Sequence, residues 1–171
     1  MSAPIPLDNA LARRRFLHTH ALAEPPSGPA KGADLRALIK RIGFVQVDSV
    51  RSVERAHHMI LFSRRQSYRP AALAPLLERD RSLFEHWTHD ASIIPSAYFP
   101  LWKLRFARDA ERLRARWGKL RRDGFSGKLD AVLDHIRAHG PVSSAEVGGD
   151  EARSSGGWWD WHPSKTALEY L

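Results

Sequence analysis

The residues best suited to chemistry in this chain are Gln46 and Asp48, which stand two positions apart in the otherwise apolar segment GFVQVDSV. A carboxylate can stabilise a developing positive charge or accept a proton from water, and a glutamine amide both donates and accepts hydrogen bonds. Side chains two residues apart in an extended segment share a face, so both are predicted to point the same way. Polar pairs are common on the wet face of a strand, and the pattern alone favours that structural role over a catalytic one.

The nine histidines of the chain do not form a metal-binding pattern. Cysteine is absent, which excludes disulfides, thiolate catalysis and zinc sites with cysteine ligands. His57 and His58 are adjacent and would point about 100° apart on a helix. His86 and His89 have no acidic partners at ligand spacing, and no glycine-rich phosphate loop or HExxH motif occurs. We therefore predict no metal and no cofactor.

Positive charge is concentrated in the segment 101–122, which holds nine basic residues and two acidic ones, a net charge of +7 out of +8 for the whole chain. Its apolar residues recur every three or four positions: Trp102, Phe106, Ala110, Leu113, Trp117 and Leu120. This spacing predicts a long helix with one apolar stripe and a cationic outer face. Like charges at this density repel one another unless a polyanion neutralises them, which favours contact with a nucleic-acid backbone.

The composition indicates a globular protein with a proper core. The 171 residues suit one domain or slightly more, and 43% of them are hydrophobic, with six tryptophans. The N-terminus has no apolar signal-peptide core, and no run of 18 apolar residues occurs. We predict a cytoplasmic protein without a membrane span.

The elements that would position Gln46 and Asp48 follow the order helix, helix, strand, helix, short helix and two strands. The predicted bounds are 8–22, 34–43, 44–50, 52–65, 70–80, 82–89 and 91–99. Asp34 and Gly43 are the predicted caps of the second helix. This order predicts a winged-helix module over residues 1–100.

The second half is predicted to continue with a basic connecting helix, 101–122, and the start of a second winged-helix module, 123–171. That module would contain a helix over 128–140 and a capped helix start at Ser143 or Ser144. The chain stops inside a helical pattern, from which we expect a fragment with an incomplete second module. The predicted fold class is thus mainly α with small β-wings, in tandem winged-helix (helix-turn-helix) modules.

Three sequence blocks, in order, carry a resemblance to a known family: FVQVDSVRSVERAHHMILFSRR, FEHWTHDASIIP and GGWWDWHPSKTALEYL. The chain resembles the winged-helix DNA glycosylases that unhook interstrand crosslinks, the AlkZ-like family, and within it the YcaQ-like branch. Members stack winged-helix modules into a basic, C-shaped cradle around DNA. Their catalytic motif is glutamine, an apolar residue and then glutamine or aspartate, so the resemblance implies that Gln46 and Asp48 are catalytic. The better-known branch has glutamine in place of Asp48.

The activity implied by the resemblance is that of a monofunctional DNA glycosylase acting on N7-alkylated purines, including those in interstrand crosslinks. A purine alkylated at N7 already carries positive charge and leaves readily, so the barrier lies in the oxocarbenium-like sugar. Asp48 would stabilise that cation and activate water, while Gln46 would hold the water or the sugar. A crosslinked base is hard to flip out of the helix, which suits an exposed motif on a concave surface.

The expected partner is double-stranded DNA, alkylated or crosslinked, bound by a monomer at the nucleoid. The side chains expected to contact DNA are Arg51, Arg55, His57, His58, Arg64, Arg65, His86, His89, Arg105, Arg108, Arg112 and Arg116. Ordinary surface or core roles remain open for the histidines and for the arginines near the motif. The alternative function is a non-enzymatic winged-helix transcription regulator, which would read bases with Arg, Asn or Gln. The helix predicted after Asp48 has no Asn or Gln before Gln66, which disfavours that alternative.

Overall fold

The structure, a computed structural model, describes residues 5–119, 124–149, 151 and 162–171. It is mainly helical, with one small antiparallel sheet of three strands. The chain divides into two compact units, Met1–Leu101 and Trp102–Leu171. None of the described helices is both long enough and apolar enough to cross a membrane.

Helix α1 spans Asn9–Thr19 and begins at a predicted cap, since the Asp8 side chain accepts a hydrogen bond from the Leu11 backbone N–H at 2.8 Å. It ends earlier than predicted, and Ala21 follows with a positive φ of 52°. No residue of α1 is buried, and only Leu11 and Leu17 are half-buried, so apolar packing contributes little to holding this helix in place.

Two arginines from later in the chain bind the C-terminal end of α1. Arg41 donates to the His18 carbonyl at 2.6 Å, and Arg64 donates to the His20 carbonyl at 2.7 Å. The last carbonyls of a helix have no donor within it, and these two guanidinium groups supply donors there, in addition to the Ala21 N–H, which lies 3.1 Å from the His18 carbonyl.

Helix α2 spans Gly32–Ile42 and follows the predicted apolar spacing. Its buried residues are Leu35, Leu38 and Ile39. Gly43 ends it with a φ of 90°, in the left-handed region that favours glycine. The predicted cap Asp34 is instead in the first turn, where its charge interacts favourably with the helix dipole, and Lys31 occupies the cap position.

The sheet consists of β1, Val45–Gln46, β2, Leu83–Trp87, and β3, Ala91–Pro95, in the spatial order β1-β3-β2. β1 is shorter than the predicted extended segment 44–50. Its pairing with β3 continues for one more bond, from the Val47 N–H to the Ala91 carbonyl at 2.8 Å. The glutamine of the candidate motif is therefore in the same sheet as the predicted two-stranded ribbon.

Helix α3 spans Ala56–Phe62 and begins later than the predicted residue 52. In the preceding segment the Glu54 carboxylate accepts a hydrogen bond from the Arg55 N–H at 2.9 Å, and this local bond competes with helical pairing of that N–H. The predicted short helix over 70–80 is also interrupted. It forms a 3₁₀ turn, Pro70–Ala72, and a separate turn, Pro75–Arg79, since Pro75 has no N–H to continue a helix.

The first unit is built on one core between its helices and the sheet. The buried apolar side chains of this core include Leu35, Ile39, Val45, Leu61, Tyr68, Leu83 and Ile93. These residues come from α2, β1, α3, β2, β3 and the connection after α3, so every one of these elements has an apolar face directed at the same core. The element order and the sheet match a winged-helix module, which agrees with the fold class predicted from the sequence.

The second unit contains most of α4, Phe99–Lys119, with α5, Leu129–His139, and α6, Pro163–Tyr170. The predicted stripe of α4 is half-buried at Trp102, Phe106, Ala110 and Leu113. Leu113 packs against a cluster formed by Phe125, Val132 and Ala167. The side chains of Trp117 and Leu120 lie outside the described residues. No strand occurs among the described residues of this unit, and a second winged-helix module remains a prediction.

The predicted helix start at residues 143–146 is a single turn. Glu146 accepts a hydrogen bond from the Ser143 backbone N–H at 2.6 Å, as in a capping box, but no helix follows. Gly148, two residues after Glu146, has a φ of 68°, which lies outside the right-handed helical region and prevents the turn from continuing as a helix.

The start of α6 is held by the Glu151 carboxylate. It accepts hydrogen bonds from the Ser164 N–H at 2.9 Å and the Ser164 hydroxyl at 2.8 Å, and its Oε1 lies 2.8 Å from Lys128 Nζ. Burial raises the pKa of Glu151, but the hydrogen bonds from Lys128 and Ser164 outweigh burial and lower the pKa to about 2. We name Glu151, His162 and Ser164 the α6 cap cluster, since His162 is the N-cap residue of α6.

Candidate active site and nucleic-acid interface

Gln46 lies on the face of the sheet opposite to the core. Val45 precedes it and is buried in the core, and consecutive side chains of a strand point to opposite faces. Gln46 pairs with Ser92 of β3, and its side chain is half-buried. Its amide Nε2 donates a hydrogen bond to Asp90 Oδ2 at 3.2 Å. The sheet therefore brings a second carboxylate to the candidate motif.

Asp90 is held by a polar network in the turn between β2 and β3. Its Oδ1 accepts a hydrogen bond from the Ala91 N–H at 2.8 Å. The Ser92 hydroxyl lies 3.0 Å from the Asp90 carbonyl and 2.8 Å from the Thr88 hydroxyl, and Ser92 is fully buried. These hydrogen bonds restrain the turn that carries the Asp90 carboxylate, and the two strands that the turn connects fix the positions of its ends.

Asp48 follows β1 and is only half-buried, so water reaches its carboxylate. Its Oδ1 accepts the hydrogen bond from the Val50 N–H at 2.8 Å, which orients the group. Among the described residues, no arginine, lysine or histidine forms an ion pair with Asp48. A carboxylate that is oriented but not neutralised by an internal cation remains available to a substrate.

His57 and His58, at the start of α3, have neutral rings near pH 7. Burial lowers the pKa of His57, and His58 and Arg55 lower it further. Burial also lowers the pKa of His58, whose Nδ1 lies 2.9 Å from the Tyr68 hydroxyl. His57 is only 5% exposed and therefore lies inside the first unit. This burial corrects the expectation that His57 contacts DNA.

Arg64 is the second expected DNA contact that the structure places inside the protein. It is buried, and besides the His20 carbonyl it donates to the Ile60 carbonyl at 2.9 Å. Burial lowers the pKa of Arg64, but an arginine remains charged, so these acceptors are needed to stabilise it. Its Nε and Nη1 are thus engaged by these two carbonyls and by the Ser63 hydroxyl at 3.1 Å, and this burial corrects the expectation of a phosphate contact. Arg65 is half-buried and donates to the Arg64 carbonyl at 2.8 Å.

Arg51 and Arg55 are exposed, and Arg55 precedes α3 although it falls within the predicted helix 52–65. Arg51 is in the segment before α3 and pairs with Glu54 at 3.3 Å, and Arg55 is the residue that precedes the first turn of α3. Both guanidinium groups stand within a few residues of Asp48 in the chain, on the solvent side of the unit.

His86 and His89 belong to the β2–β3 hairpin. His86 pairs with Ser92, which also pairs with Gln46, so the three side chains form one row across the sheet. His89 is exposed, and its ring meets the edge of Phe44 with centroids 5.7 Å apart. The hairpin therefore places polar and aromatic groups on the sheet face that carries Gln46.

The four expected arginines of α4 differ in how far they are neutralised. Arg105 and Arg112 lie 3.4 and 2.9 Å from the same carboxylate, Asp109. Arg108 and Arg116 are exposed and form no ion pair with any residue that the structure describes. One carboxylate thus serves two of the four arginines, and α4 keeps a cationic surface within the second unit.

The sequence patterns missed Asp90, Thr88 and Ser92. Asp90 lies between the two predicted strands, 82–89 and 91–99, and Asp, Ser and Thr commonly bond their own backbone near turns, so these residues carry no separate signal. The contact between Gln46 and Asp90 joins residues 44 positions apart, which no local pattern reveals. Among the described residues, no group of three or more histidine and acidic side chains is arranged to hold a metal ion.

Comparison with known proteins identifies one family. The sequence model of the family described as DNA glycosylase AlkZ-like matches residues 39–171, most of the chain. The matched region contains Gln46, Asp48 and Asp90. No solved structure matches the chain.

Proposed function

The chain belongs to the AlkZ-like DNA glycosylase family, and from this premise we propose that it hydrolyses the N-glycosidic bond of N7-alkylated purines, including purines joined in interstrand crosslinks. A DNA glycosylase is a hydrolase of DNA repair, so DNA is its partner. The observation that carries the finer proposal is the Asp48 carboxylate, which is oriented by the Val50 N–H, partly exposed and not paired with a described cation.

The proposed reaction breaks the bond between C1′ of the deoxyribose and N9 of the purine. The bonding electron pair leaves with the purine and neutralises the positive charge created by alkylation at N7. The sugar becomes an oxocarbenium-like cation, which the Asp48 carboxylate stabilises electrostatically. Water then adds through its oxygen to C1′, and Asp48 accepts its proton. The products are a free alkylated base and an abasic site, as expected of a monofunctional glycosylase.

Several exposed groups of the two units support the proposed contacts with double-stranded DNA. They are Arg51, Arg55 and His89 in the first unit, and Arg108, Arg112 and Arg116 in the second. Half-buried Arg65, His58, His86 and Arg105 stay in the proposal as secondary contacts, and His57 and Arg64 are withdrawn from it. We propose that a monomer acts on chromosomal DNA, which would place it at the nucleoid in the cytoplasm.

The test of this function uses the protein with duplex DNA that contains N7-methylguanine or an interstrand crosslink. We expect catalytic release of the free base and unhooking of the crosslink. Footprinting on undamaged DNA examines the alternative, a transcription regulator. Absence of base release together with a sequence-selective footprint would replace the glycosylase proposal with the regulator.

Removing Arg108 and Arg116, which form no ion pair with the part of the chain that the structure describes, should weaken DNA binding. Each phosphate contact contributes about 0.9 to the slope of log affinity against log salt concentration, so Arg108→Ala with Arg116→Ala should lower that slope by roughly 2. We expect a loss of affinity of roughly 10-fold at low salt, equal for all DNA sequences. Fluorescence anisotropy over a salt series measures both quantities.

The matched control removes two arginines that already pair with neighbouring carboxylates. Arg79 lies 3.0 Å from Asp80, and Arg137 lies 2.9 Å from Asp134. Arg79→Ala with Arg137→Ala changes the net charge equally. If this control lowers the salt slope as much as the α4 variant does, net charge and not the α4 surface governs binding.

A further inference from the structure

The hydrogen bond between Gln46 and Asp90 determines which end of the glutamine amide is free. A carboxylate only accepts hydrogen bonds, so the amide must turn its Nε2 donor towards Asp90 Oδ2, 3.2 Å away. The carbonyl oxygen, Oε1, is then the end of the amide that is not bonded to Asp90. Within the described part of the chain no residue donates to it. The Gln46 amide can both donate and accept hydrogen bonds, and by binding its Nε2 donor Asp90 leaves the Oε1 acceptor for another partner.

We propose that Asp90 is a positioning residue of the active site, which holds the Gln46 amide so that Oε1 accepts a hydrogen bond from the attacking water. This inference rests on the proposed glycosylase function. Water that gives one proton to Asp48 and one hydrogen bond to Gln46 Oε1 has both O–H groups engaged, and its lone pair is then directed at C1′. Orientation of this kind accounts for a large part of catalysis in well-ordered sites.

The surroundings of Asp90 are suited to this role because its carboxylate is tied to the backbone that carries Gln46. The Ala91 N–H donates to Asp90 Oδ1 at 2.8 Å, and the Ala91 carbonyl accepts from the Val47 N–H at 2.8 Å. Gln46 and Ser92 are partners in the register of the sheet. Asp90 and Gln46 are both half-buried, so water competes less strongly for their hydrogen bond than at an open surface.

The substitution Asp90→Asn tests the proposal with little change of shape. The new side chain keeps Oδ1 as the acceptor for the Ala91 N–H but offers an NH₂ group to Gln46. The amide of Gln46 must then turn over and present its donor to the water. We expect single-turnover base release to fall by roughly 10- to 100-fold, with DNA affinity and thermal unfolding unchanged.

Glu85→Gln is the matched control, since Glu85 is an exposed carboxylate on β2. It pairs with Ile93 in the neighbouring row of the sheet, whose side chains point to the face opposite to that of Gln46. This control should retain full activity.

Two combined variants separate positioning from a structural role. Asp90→Asn should cost nothing further in a Gln46→Ala background, because its effect acts through Gln46. Gln46→Glu with Asp90→Asn should recover part of the lost rate, since the new carboxylate accepts from the NH₂ group and again presents an oxygen.

Each outcome has one meaning. Full activity of Asp90→Asn in a protein that releases base overturns the positioning role and leaves the glycosylase function standing. The positioning role is also overturned if Asp90→Asn causes an equal further loss of rate in the Gln46→Ala background. It is overturned as well if the double variant Gln46→Glu with Asp90→Asn recovers none of the lost rate. If the unsubstituted protein releases no base, the proposed function fails and the role of Asp90 in it fails as well.

Discussion

Replacing Asp48 with asparagine is expected to lower single-turnover release of N7-methylguanine by roughly 10²- to 10⁴-fold. The asparagine side chain retains an oxygen that can accept the hydrogen bond from the Val50 N–H, so the turn after β1 should persist. What is lost is the negative charge that stabilises the sugar cation and the base that accepts a proton from water. Unhooking of a crosslinked duplex should fall in parallel, since the same bond is broken.

The measurement compares rates at saturating protein, with DNA affinity determined separately by anisotropy. Loss of a negative charge near DNA should leave affinity equal or slightly higher, so a fall in rate cannot be attributed to weaker binding. Glu85→Gln again serves as the control, because it removes an exposed carboxylate from the same unit without touching the motif. Base release by Asp48→Asn at the normal rate and equal affinity would eliminate the proposed role of this residue.

Gly148→Ala is expected to destabilise the second unit by about 2–4 kcal/mol. Gly148 has a φ of 68°, a conformation that costs energy for any residue with a Cβ. A Cβ at this position would also lie 2.6 Å from His162 Nδ1 and 2.7 Å from Glu151 Oε2. Both atoms belong to the α6 cap cluster, and hydrogen bonds to the backbone of α6 restrict their movement.

Denaturant unfolding measures this loss, and Gly127→Ala is the control in the same unit. A Cβ on Gly127 has no heavy atom within 4 Å, so that variant should change the unfolding free energy by less than about 0.5 kcal/mol. Equal stability of the two variants would show that the close approach of Gly148 to the α6 cap cluster contributes nothing to the fold.

The elements that were predicted well are those whose signal is local and repeated. Leu35, Leu38 and Ile39 are buried on α2 as their spacing requires, and Gly43 ends that helix in the left-handed conformation predicted for a cap. The half-buried stripe of α4 follows the same rule. Apolar periodicity needs only one element and a core to face, so it can be read without knowing what forms the core.

Predictions that depended on a single local preference were less accurate. The predicted helix 52–65 begins only at Ala56, because the Glu54 carboxylate bonds the Arg55 N–H and competes with helical pairing there. The capping pattern at Ser143 makes its hydrogen bond to Glu146, but a helix does not follow. A cap contributes only about 1 kcal/mol, too little to form a helix that lacks packing partners.

The amino-acid sequence by itself indicated the family, through its three ordered blocks, and an extended segment, 44–50, that contains Gln46 and Asp48. The structure limits the strand to Val45–Gln46, so Asp48 lies beyond it. The sequence also determined the cationic character of α4, since composition is independent of folding. Only the tertiary structure decided that Gln46 meets Asp90 and that Arg64 and His57 are buried inside the first unit. These outcomes depend on contacts between residues far apart in the chain, such as the 44 positions that separate Gln46 from Asp90, and the packing of a common core brings such residues together.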